Sequence, residues 1–108
     1  MTTLTVIHHG ITFDRKKLER FCLENGIKKL ALFGSVLRDD FGSESDIDML
    51  VEFLPEKTVT FFTLFDMEEE LSHMFGGRRV ELRTLQDLSR YFRDRVVSEA
   101  DVQFERQG

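Results

Sequence analysis

Tryptophan is missing from this chain, and tyrosine, cysteine and proline occur once each, as Tyr91, Cys22 and Pro55. With eleven phenylalanines against that single tyrosine, the aromatic residues mainly fill space. A lone cysteine excludes an internal disulfide framework and leaves no second thiol for a metal clip, which fits a reducing compartment; Cys22 reads as a buried helix residue. There is no apolar run of about 18 residues to span a bilayer, and no positively charged leader running into an apolar segment. The expectation is a cytoplasmic protein with no membrane partner. His8, His9 and His73 are not spaced as a metal triad. A glycine-rich loop ending in Gly-Lys-Ser/Thr is absent, as is the dinucleotide fingerprint, so the P-loop and Rossmann readings are excluded. At 108 residues the chain is too short for a barrel or for two domains with separate cores, and a single domain over 1–108 is expected.

What is present is a globular composition, 41% hydrophobic and 32% charged, with an uneven distribution of charge. Residues 1–38 carry seven bases and three acids, whereas 39–56 carry seven acids and no base: Asp39, Asp40, Glu44, Asp46, Asp48, Glu52 and Glu56. A nonspecific nucleic-acid surface does not hold seven carboxylates at its centre, so no direct nucleic-acid binding is expected. Divalent cations are drawn to such a stretch. From Arg78 to Arg95 the balance reverses, with six arginines against three acids, and an anionic ligand could be held beside the acidic centre.

The hydrophobic pattern sets the elements. Thr3 to Ile7 reads as an edge strand or part of an extended arm over 1–10. Asp14 caps a helix over 14–25 that carries Leu18, Phe21 and Cys22 at helical spacing. Lys29 to Phe33 forms an apolar strand interrupted by Gly34 and Ser35, with a one-turn helix and loop after it. Ile47, Met49, Val51 and Phe53 alternate with Asp48, Leu50 and Glu52, giving a strand with one apolar face, ended by Pro55. An amphipathic helix over 60–75 places Phe61, Leu64, Met67, Leu71, Met74 and Phe75 on one side and closes at Gly76 and Gly77. Arg79 to Arg83 alternates again, Thr84 and Asp87 make a capping box, and Leu88, Tyr91, Phe92 and Val96 mark a last helix. Residues 101–108 read as a polar tail. This order predicts an α/β (α+β) domain, a small mixed sheet with helices on one face.

Two features carry chemistry. Asp46 and Asp48, two apart at a strand entrance, point to the same side about 6.6 Å apart at Cα and suit the hard oxygen shell of Mg²⁺. Glu81, on the polar face of the other alternating strand, is the third carboxylate if the two strands are neighbours. Phe33-Gly34-Ser35 runs a buried strand into a turn where backbone N–H groups and a hydroxyl could hold phosphate, with Arg38 one turn on. The same residues equally make a tight turn with a capping serine, and Arg38 could instead pair with Asp39 or Asp40.

Gly34-Ser35, ten residues, then Asp46-Ile47-Asp48, followed by Val80-Glu81-Leu82, resembles the minimal nucleotidyltransferase family of the DNA polymerase beta superfamily over roughly residues 15–100. The resemblance implies a nucleotidyltransferase fold with its active site on the open sheet face. It also implies an antitoxin that uses ATP to transfer AMP to a tyrosine of a cognate HEPN-class ribonuclease toxin, as a homo-oligomer or as a hetero-oligomer with that toxin. Carried over by residue, Gly34 and Ser35, with Arg38 nearby, hold the nucleotide. Asp46, Asp48 and Glu81 are the catalytic, metal-binding residues for two Mg²⁺ ions. Where the family usually has Val-Asp-Leu, this chain has Glu81, one methylene longer, which motivates the alternative of a non-catalytic antitoxin that neutralises the toxin by complex formation.

Overall fold

The strand at the centre of the sheet is built from the clearest alternation in the sequence. The computed structural model describes residues 4–106. Within it β1 (Leu4–Val6) and β2 (Thr12–Asp14) form a small antiparallel ribbon, followed by α1 (Arg15–Glu24), β3 (Ile27–Phe33) and β4 (Ile47–Phe53). Then come α2 (Phe61–Met74), β5 (Val80–Arg83), α3 (Arg90–Glu99) and β6 (Asp101–Glu105). The main sheet runs β5-β4-β3-β6; β5 is parallel to β4 and the other pairs are antiparallel, so the sheet is mixed as expected.

Register decides what each face becomes. Leu30 lies opposite Val51 and Leu32 opposite Met49, while Ile47 pairs with Val80 and Met49 with Leu82. These side chains share one face and are buried against Leu18, Phe21 and Cys22 of α1 and Met67 and Leu71 of α2. The other face carries Ala31, Leu50, Asp48 and Glu81, because successive strand residues point to opposite sides. The Asp14 side chain accepts from Lys16 N–H and Lys17 N–H, as the capping reading requires, and Thr84 and Asp87 form their capping box. Burial pushes the Cys22 thiol up to about 12, so it is a core residue without ready nucleophilic character.

Three expectations need correction. Residues 101–105 are a strand, not part of a polar tail. The free edge of β3 needs a backbone partner, Phe104 packs against the core opposite Leu30, and the Arg15 guanidinium donates to the Gln103 carbonyl (2.6 Å) and to Gln103 Oε1 (2.9 Å). Phe61 is 90% exposed although helical spacing puts it in line with Leu64 and Met67. It is the first residue of α2, and the helix meets the core only from Leu64 onward. The last helix buries no side chain, and Tyr91 and Phe92 stand exposed on it. Among the described residues no helix is long and apolar enough to cross a membrane.

Val51 tests the assignment of faces, since it is buried opposite Leu30 in the middle of the sheet. Val51→Asp places an unpaired carboxylate there at a cost of roughly 4 kcal/mol or more. The cooperative melt followed by circular dichroism should be lost or shifted far down in temperature; an unchanged midpoint would mean that the faces are reversed.

Candidate functional site

Asp48 stands at the centre of a row drawn across three strands. Its Cα pairs with Phe33 on β3 and with Glu81 on β5, so the turn after β3 and the third carboxylate meet it from opposite sides. Strand neighbours lie about 4.8 Å apart, which keeps both within reach of one small ligand. Asp46 lies just before β4, and its backbone carbonyl is 3.5 Å from the Ser35 hydroxyl, tying the glycine-serine turn to the acidic pair.

Gly34 opens a four-residue 3₁₀ turn, Gly34–Leu37. Its φ of +76° is the left-handed conformation that favours glycine, and a Cβ there would stand 2.6 Å from Asp48 Oδ2. Both backbone and space therefore demand glycine, independently of any anion. Ser35 sits inside the turn rather than at its cap, and no side chain caps the turn, so the capping-serine reading fails. A single 3₁₀ turn has little macrodipole; phosphate held here would rest on individual N–H groups.

The carboxylates are crowded. Burial raises the pKa of Asp48 above its ordinary value; the charge of Glu81 raises it further, Arg83 opposes the shift, and Asp46 and a hydrogen bond with Glu81 add to it. Glu81 is clasped on its own strand face by Arg83 (3.3 Å) and Arg79 (3.7 Å), and Arg79 also approaches Asp46 at 4.0 Å. With its oxygens turned to the arginines, Glu81 is not preassembled for a cation, and among the described residues no group of three metal-ligating side chains is poised as a ready site. The donor set nevertheless fits Mg²⁺ in its chemistry: three carboxylates, one of them held back from ionisation by burial and its neighbours.

Two cavities flank the row. One, about 1040 Å³, includes Gly34, Arg38, Phe92 and Arg95. Arg38 lines it, and its largely exposed guanidinium pairs with Asp40 at 3.5 Å, the ion pair that the sequence offered as the alternative to a phosphate contact. The other, about 430 Å³, lies on the β5 side and includes Phe65, Glu69, Arg79, Glu81 and Arg83. The structure thus brings Gly34, Ser35, Asp46, Asp48 and Glu81 together and leaves Arg38 at the margin.

Sequence reasoning passed over Arg79 and Arg83 as site residues although it put them on the face of Glu81. The excess of arginine between 78 and 95 was the available signal. It had no signal for Glu68, whose Oε2 accepts from Leu82 N–H at 2.8 Å across 14 residues of sequence.

The raised carboxyl of Asp48 has a defined pH signature. A carboxyl whose folded pKa lies above its unfolded value favours folding while protonated, and that contribution is lost as pH rises from about 3.8 through the folded pKa. In metal-free buffer near neutral pH, Asp48→Asn should therefore melt above the parent, and the gap should narrow as the pH is lowered toward about 4. A variant that melts below the parent near neutrality would show that the carboxylate is compensated rather than crowded.

Comparison with known proteins agrees with this geometry. The family model described as polymerase beta, nucleotidyltransferase, matches residues 16–108. An inferred protein adenylyltransferase of Methanocaldococcus jannaschii is 31% identical over 86 residues, covering 80% of this chain and 89% of its own. The protein adenylyltransferase MntA of Thermococcus cleftensis is 34% identical over 79 residues, covering 72% and 74%. In fold, a chain from a toxin–antitoxin crystal structure with AMP-PNP superposes with a TM-score of 0.66 at 21% identity, covering 86% of this chain and 74% of that one. The carboxylate row across β4 and β5, the glycine turn packed against it and these matches together make the chain a member of the polymerase beta nucleotidyltransferase family, with a likeness to its MntA antitoxins.

Proposed function

We propose that this protein is an adenylyltransferase antitoxin that moves AMP from ATP to a tyrosine hydroxyl of a HEPN-class toxin. The observation that carries the reading is the row Gly34, Asp48, Glu81, in which the turn at Gly34 packs against Asp48 and Asp48 pairs with Glu81 on the next strand. The likeness to protein adenylyltransferases and to a toxin–antitoxin assembly with AMP-PNP supports both the nucleotide and the class of partner.

In this reading the turn at Gly34 and Ser35 takes the triphosphate, with Arg38 and Arg95 available in the adjoining cavity to steady its charge. Asp46, Asp48 and Glu81 would hold Mg²⁺, which when bound neutralises phosphate charge and makes a hydroxyl more acidic. The hydroxyl oxygen attacks the α phosphorus, and the bond from that phosphorus to the pyrophosphate oxygen breaks. Glu81 would accept the hydroxyl proton, and the products are an AMP ester of the tyrosine and pyrophosphate. Arg79 and Arg83 must release Glu81 for this role, a movement of side chains on one strand face.

Incubation of the toxin with this protein, ATP and Mg²⁺ should add AMP to the toxin by intact-protein mass spectrometry. Glu81→Gln should slow transfer by at least about 100-fold, since the amide is neither an anionic ligand nor a proton acceptor. Glu81→Asp should keep the activity or raise it. A second reading, neutralisation by masking alone, is favoured by the exposed rings of Phe61 and Phe62, at 90% and 84%. Unchanged toxin mass, with inhibition that needs one antitoxin per toxin and survives Glu81→Gln, decides for it.

A further inference from the structure

We propose that the groove between α2 and the outer edge of β5 seats the acceptor segment of the toxin, and that Phe65 receives the ring of the acceptor tyrosine there. The inference rests on the adenylyl-transfer reading and goes beyond it by naming the surface. In-line displacement needs the attacking and leaving oxygens on opposite sides of the phosphorus. The row supplies an axis for that: the glycine turn lies at the β3 end, Asp48 is in the middle and Glu81 is on β5. The triphosphate occupies the Gly34 end, so the hydroxyl has to arrive from the Glu81 end.

That end opens into the 430 Å³ groove, which shares no lining residue with the cavity at Gly34. β5 is an edge strand of the sheet, so among the described residues no strand lies beyond it and a segment of another protein can reach Glu81 from solvent. Glu81 and Phe65 line the same groove, and Phe65 is 58% exposed. An aromatic hydroxyl suits both ends at once, ring against ring at Phe65 and oxygen toward Glu81. Strand addition is disfavoured as the docking mode, because the outward N–H of Leu82 is already taken by the Glu68 carboxylate at 2.8 Å. The partner therefore enters by a side chain and not by pairing its backbone with the edge.

Two measurements test this, one of them independent of turnover. Glu69 lines the groove and is exposed, and the native Cys22 is buried with its thiol pushed up to about 12, so Glu69→Cys in the full chain takes a benzophenone maleimide at one position. Illumination of its complex with the toxin should crosslink to the toxin peptide that holds the acceptor tyrosine; a crosslink to a remote peptide, or none, overturns the proposal. In steady-state transfer, Phe65→Ala should raise KM for the toxin about tenfold, the loss of one aromatic pair, with kcat and the Kd for ATP unchanged. An unchanged KM for the toxin overturns it as well. If the parent transfers no AMP, the adenylyl-transfer reading fails, and the crosslink still reports where the toxin segment lies.

Discussion

The antiparallel register of β3 and β4 is the constraint on which the rest depends. It sets Leu30 against Val51 and Leu32 against Met49, and by continuing one more pair it sets Phe33 against Asp48. A shift by one residue would turn the apolar side chains out and the carboxylate into the core, so hydrophobic burial itself enforces the position of Asp48. Because Gly34 follows Phe33 directly, the same register presses the turn onto the carboxylate and excludes any side chain at that point. Core and site are two faces of one pairing.

The electrostatics of the open face follow from that arrangement. Placing β5 parallel to β4 brings Glu81 beside Asp48, and the alternation of β5 brings Arg79 and Arg83 with it. The arginines offset part of the repulsion, while Asp48 remains penalised by burial and by its acidic neighbours. Such a face is stable enough to fold and still short of positive charge, a balance suited to a cationic cofactor. Salt bridges this exposed add little stability of their own, so they can be exchanged for other partners at small cost.

Economy of length has a consequence at the surface. The core is drawn from α1, α2 and the sheet together with Phe13, Val36 and Phe41, and it leaves the start of α2 and most of α3 outside. Phe61, Phe62, Tyr91 and Phe92 are consequently displayed in a chain that uses phenylalanine chiefly as filler. Exposed aromatic residues on two helices are more than a monomer of this size requires and fit a molecule built to work against another protein.

Much of this was determined by the sequence alone. Period-two alternation from Ile47 to Phe53 and from Arg79 to Arg83, the cap at Asp14 and the box at Thr84 and Asp87 are local signals, and they read correctly because propensity and burial agree there. The spacing from Gly34-Ser35 to Asp46 and Asp48 was equally legible. What only the tertiary structure decided involves partners distant in the chain. The strand at 101–105 has two apolar residues and looks like a tail until β3 offers its edge and Arg15 its guanidinium, 88 residues away at Gln103. The exposure of Phe61 depends on where the core ends, not on helical period. The clasp of Glu81 by two arginines, and the hold of Glu68 on the β5 backbone, arise from side chains meeting after the chain has closed, and composition and spacing carry no record of which ones meet.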